Sequence, residues 1–208
     1  MSRDEMQSVH DDIAFMRALA EEGSQAPLLG GGVTASAGLI FGAAAVVHWM
    51  IQKGVLQVSP WGIMAAWLIA GCLFAVVMMF IIRRVAATPG ARSPLNRAVG
   101  SAWSGVGFAI FVSFLGLAAM AYSLKNPIIF NAFPVLILAL YGAAWSVAAD
   151  FSGKAWIRLV ALASFAGAVV MGLMATSPMQ MLAYAAALLL LAFVPGLILL
   201  RQEPSDTI

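Results

Sequence analysis

Leu159–Leu200 reads LVALASFAGAVVMGLMATSPMQMLAYAAALLLLAFVPGLILL, with no Asp, Glu, Lys or Arg. As one helix it would extend about 63 Å at 1.5 Å per residue, twice the roughly 30 Å core of a bilayer. The run must therefore turn. Thr176-Ser177-Pro178 is the one punctuation strong enough, with Ser177 placed to cap a helix and Pro178 at its first position. This stretch is thus two membrane spans.

Four further charge-free runs lie upstream, between Gly23 and Gln52, Gly54 and Ile82, Ala98 and Leu124, and Asn126 and Ala149. Each suits one helix. The sum is an all-α polytopic membrane protein with six spans, at about 29–51, 60–82, 98–123, 128–149, 156–175 and 178–200. Composition agrees: 62% of the 208 residues are hydrophobic and 10% charged, against about 25% charged in soluble domains. Residues 1–28 form an N-terminal element outside the bilayer, and 201–208 a short tail. The acidic first 22 residues lack the apolar core of a cleaved signal, so the first span is expected to act as an uncleaved anchor.

Charge orients the bundle. These spans leave Arg3, Arg17, Arg83, Arg84, Arg92, Arg97, Lys154, Arg158 and Arg201 on one side, and only Lys53 and Lys125 on the other. By the positive-inside rule both termini are cytoplasmic. Trp49, Trp61 and Tyr122 then fall near the outer boundary, and Trp103, Trp145 and Trp156 near the inner one. Arginine outnumbers lysine and Ala and Gly abound, a composition that fits a bacterial inner (cytoplasmic) membrane protein.

The interior is poor in chemistry. The acid nearest a span, Asp150, is expected to pair with Lys154 on the cytoplasmic side. His48 has no histidine partner within the membrane, so neither haem nor metal is expected, and its ring is read as hydrogen-bonded near the outer interface. Ser36, Ser101, Ser104, Ser113, Ser146 and Ser164 have no base beside them, and no hydrolase, zinc-protease or P-loop motif occurs. Neither catalysis, a cofactor nor a nucleic-acid partner is expected. The serines read as hydrogen-bond donors between helices, and Trp67 and Tyr141 as packing residues with bonded polar tips. Pro134 and Pro195 are expected to kink the fourth and sixth spans, while Ser59-Pro60 and Asn126-Pro127 cap the second and fourth.

Small residues supply the clearest pattern inside the membrane. Gly38 and Gly42 form G-x-x-x-G in the first span; Gly100, Ser104, Gly105 and Gly107 form similar rows in the third, and Gly167 and Gly172 add to the fifth. They predict close packing of the odd-numbered helices, within one chain or between copies of a homo-oligomer.

The N-terminal segment carries the other message. Ser2 and Glu5 fit a capping box and Gly23 a C-cap, bounding an amphipathic helix over 4–22. Met6, Val9, Ile13, Met16 and Ala20 share one face, and Phe15 and Leu19 form a second apolar edge. Residues 1–26 hold six acids and two arginines, a net charge of −4. Such a helix is ill-suited to anionic lipid, where basic faces are favoured. Loop 83–97, with Arg83, Arg84, Arg92 and Arg97 and no acid, offers a complementary surface in the same chain. Two functions remain. One is a non-catalytic scaffold, sensor or regulatory subunit that engages a cytoplasmic protein through this helix and loop. The other is a small permease or channel-like protein for a neutral or apolar solute, lined by Trp67, Tyr141 and the serines.

Overall fold

A bilayer core offers backbone amides no water, so each apolar run must satisfy its own hydrogen bonds, and all of them fold as helices. The computed structural model describes residues 10, 13, 27–59, 61–88, 90–91 and 93–203. The helices are α1 (Gly31–Gln52), α2 (Trp61–Ala87), α3 (Pro94–Leu124), α4 (Phe133–Ser152), α5 (Ala155–Leu173), α6 (Gln180–Leu188) and α7 (Val194–Leu200). A 3₁₀ helix, Pro127–Ala132, leads into α4, and a π-helical turn, Leu189–Phe193, joins α6 to α7. No strand occurs among the described residues. Six segments are long and apolar enough to cross a membrane, so the chain is a multi-pass membrane protein in contact with lipid. The expected amphipathic helix over 4–22 lies, apart from positions 10 and 13, outside the described residues.

Three boundaries differ from those read in the sequence. α2 runs on to Ala87 and α3 begins at Pro94, so Arg83, Arg84 and Arg97 sit on helix turns and the connecting loop shrinks to 88–93. Arginine is a good helix former whose stem can reach along the surface, so a change in charge does not mark a helix end. Ser93 is the cap of α3, its Oγ accepting from the Asn96 amide at 3.2 Å. The sixth span starts at Gln180 rather than Pro178, because Ser177-Pro178-Met179 is used as a turn in which Ser177 Oγ accepts from the Met179 amide at 3.2 Å. Asn126 caps the 3₁₀ helix, its Oδ1 accepting from the Ile128 amide at 3.1 Å, and Pro134 falls in the first turn of α4, not inside a continuous helix.

The helices associate in an uneven way. α1 lies along the whole sixth span and against α2; α4 lies against α5 and α3. Within their most apolar windows α1 and the fourth and sixth spans are 39% buried, whereas α2 and α3 are each 6% buried. These two flanking helices hence leave most of their surface uncovered by the rest of the described chain. The core gathers on α4, α5 and the sixth span around the fully buried Trp145, Leu138, Ile157 and Leu188. Trp103 meets Tyr141 and Trp145 edge-on, with ring centroids 5.2 Å apart in both pairs.

Close approach of α1 to the sixth span depends on glycine. A Cβ on Gly38 would fall on the backbone of Phe193, and one on Gly196 would fall on the backbone of Ala35. Gly42 faces Ala185 and Leu189 of the same neighbour. Among the described residues the glycines of the first span therefore serve its packing against the sixth. Gly100, Gly105 and Gly107 on α3 meet nothing within 4 Å.

Candidate functional site

Several polar groups in the spans are bonded within the fold, whereas the buried Trp49 Nε1 has no partner. Ser104, Ser146 and Ser164 each donate to the carbonyl four residues back, at 2.8–2.9 Å, and Ser36 to Val33 O at 2.9 Å. They close on their own helices instead of linking different ones, because a serine on a helix always has that carbonyl within reach. The Trp67 indole N–H donates to His48 Nδ1 at 3.2 Å. A ring that accepts at Nδ1 while neutral carries its proton on Nε2, which leaves neither nitrogen free as a metal ligand. No cluster of three or more His, Cys, Asp or Glu side chains suited to a metal occurs among the described residues.

At the end opposite the arginine-rich one, Gln180 is buried and donates to Asn131 O at 2.8 Å and Met171 O at 3.1 Å, while Asn131 Nδ2 donates to Ala175 O at 2.7 Å. Pro134 has no N–H to close the 3₁₀ bond to Asn131 O, so the Gln180 amide fills that vacancy. This knot ties the fourth, fifth and sixth spans and is architectural.

The arginine-rich end is different. Leu28 and Leu29, just before α1, are buried. Asn96, in the first turn of α3, holds them: its Oδ1 accepts from the Leu29 amide at 2.9 Å, and its Nδ2 donates to Pro27 O at 2.9 Å and Gly90 O at 3.0 Å. One side chain thus joins the base of the N-terminal segment to loop 88–93. On the other side Gly30, with φ +97°, and Gly31 both donate their amides to Glu203 Oε1 at 2.9 Å. Successive amides turned together in this way form an anion-binding nest at the positive end of α1, and here a carboxylate from the tail occupies it.

Charged side chains surround this junction. Arg83, Arg84 and Arg97 are exposed. Arg97 also lines an open hollow of about 560 Å³ with Pro94, Ala98 and Ser101. Asp150 pairs with Arg158 at 3.0 Å, not with Lys154. Gly153, at φ +66°, ends α4 before Lys154, which turns instead to donate to Gln202 Oε1 at 2.6 Å.

Of the residues singled out in the sequence, Ile13 is helical and 53% exposed; Met6, Val9, Phe15, Met16, Leu19 and Arg92 lie outside the described residues. Gly38 and Gly42 are in the α1 interface, whereas Gly100, Ser104 and Gly107 are on the open side of α3. Sequence reasoning missed Asn96 and Glu203. The available signal was weak: each is a polar residue at the end of an apolar run, as many unremarkable interface residues are. No protein-family model matches the chain, and neither a curated protein nor a solved structure shows significant similarity to it.

Proposed function

We propose that the chain is a non-catalytic component of a bacterial cytoplasmic membrane, with both termini in the cytoplasm, serving as a scaffold, sensor or regulatory subunit. It engages a cytoplasmic protein through its acidic amphipathic N-terminal helix together with the arginines flanking loop 88–93. The observation that carries this reading is the clamp of Asn96 on both Pro27 and Gly90. It brings the root of a segment of net charge −4 to loop 88–93, which contains Arg92 and is flanked by Arg83, Arg84 and Arg97. Ile13, on the apolar stripe of that segment, is exposed and so open to a partner.

The alternative of a neutral-solute permease has less support. The serines it would use as a lining close on their own helices, and Trp67 spends its N–H on His48. The small residues exposed on α3 fit lipid contact or a second copy of the chain equally well.

The deciding experiment is purification from membranes in mild detergent, with mass spectrometry of what accompanies the full chain and the chain lacking residues 1–22. A soluble protein recovered with the first and lost with the second is the expected result. Identical recovery, with unchanged abundance and phenotype, would end the proposal.

A further inference from the structure

The junction at the arginine-rich end contains one contact that packing of the spans does not require. The sixth span ends at Leu200, yet the chain continues as a turn, with the Gln202 and Glu203 amides donating to Leu199 O at 2.8 and 3.1 Å. That turn carries the Glu203 carboxylate to the amides of Gly30 and Gly31, more than 170 positions away in sequence. Lys154, from the connection between α4 and α5, holds the neighbouring Gln202 at 2.6 Å. Residues 27–31 are accordingly gripped from two sides, by Asn96 of α3 and by Glu203 of the tail.

We infer that the C-terminal tail is a strap, with Glu203 as its buckle, that couples the two chain ends and sets how the N-terminal segment leaves the bundle. Three observations converge. Gly30 at φ +97° adopts a conformation costly for any residue with a side chain, and that conformation turns its amide toward the same oxygen as the amide of Gly31. α1 has no side-chain cap of its own, so the carboxylate is the anion that meets its positive end. The residues being held, 27–31, directly follow the acidic stretch 1–26, which has a net charge of −4. Whatever draws the tail away thus loosens the base of that segment. By linkage, engagement of the segment must alter the tail in turn. The regulatory meaning of the strap rests on the partner reading above, but the mechanical coupling does not.

The test uses the full chain in lipid nanodiscs on a Cys72→Ser background, with spin labels at His10→Cys and Phe151→Cys. Hydrogen exchange at 29–31 reports the buckle, and the distance distribution between the labels reports the segment. Glu203→Ala is expected to speed exchange of the Gly30 and Gly31 amides at least tenfold and to broaden the distribution. Glu203→Gln, which keeps an acceptor but loses the charge, is expected to lie between. Unchanged exchange in Glu203→Ala overturns the strap. Faster exchange with an unchanged distribution overturns it too, because the contact would then serve α1 alone. Should both readouts shift while removal of 1–22 leaves co-purification unaltered, the coupling stands and the partner reading falls.

Discussion

The indole N–H of Trp145, on α4, donates at 2.9 Å to the carbonyl of Leu191, in the π-helical turn of the sixth span. Pro195 has no N–H, so the carbonyl four residues before it, that of Leu191, lacks its α-helical donor. A proline that would leave an unpaired group in an apolar environment has been matched by a fully buried tryptophan from another helix. Trp145→Phe is expected to destabilise the bundle by about 1–2 kcal/mol, the upper range for such bonds in membranes. Adding Pro195→Ala, which restores a backbone donor, should recover part of that loss. A double-mutant cycle from unfolding in graded denaturing detergent measures the coupling. Additive effects would show that the two positions are independent.

Gly38 and Gly100 look alike in sequence but sit in opposite surroundings. Gly38→Ala forces a methyl group into the backbone of Phe193 and should cost about 1–3 kcal/mol, whereas Gly100→Ala enters open space. Size-exclusion profiles and melting temperatures of the two variants provide the comparison. Equal tolerance would remove the α1 contact from the stabilising interactions.

Gln180 holds two carbonyls, those of Asn131 and Met171, at the end opposite the arginines. Gln180→Leu removes both donors and should destabilise by about 1–3 kcal/mol. Gln180→Glu keeps the shape but replaces the donating amide, so it should be comparably harmful near neutral pH. Hydrogen exchange around 131–135 and 171–175 would rise in both variants.

Asn96→Ala releases Pro27, Leu29 and Gly90 together. The expected outcome is a drop in disulfide crosslinking between cysteines placed at positions 12 and 92, without loss of the folded bundle. Crosslinking at the unaltered level would mean that Asn96 does not position the segment.

The orientation proposed from charge is open to a direct check on the Cys72→Ser background. Gly54→Cys should react with an impermeant maleimide added to intact cells, and Gly90→Cys only after the membrane is opened. The reverse pattern would invert the topology and move the acidic segment to the outside.

The sequence by itself determined that there are six apolar spans and that they are helical. An uncharged run of 42 residues cannot cross a bilayer once, and Thr176-Ser177-Pro178 marks where it turns. Those facts are local, because hydropathy and turn chemistry act along the chain. It also located the G-x-x-x-G of α1, though not its neighbour: a pattern of small residues shows that a close approach is feasible, while only the arrangement of all six spans decides which helix arrives. The same limit hid the clamp. Asn96 and Glu203 matter because Pro27, Leu29, Gly30 and Gly31 come within 3 Å of them, and bonds between residues so distant in sequence leave no periodicity to read. Tertiary structure therefore decided where residues 27–31 meet Asn96 and Glu203, since only folding turns residues at the ends of separate apolar runs into partners.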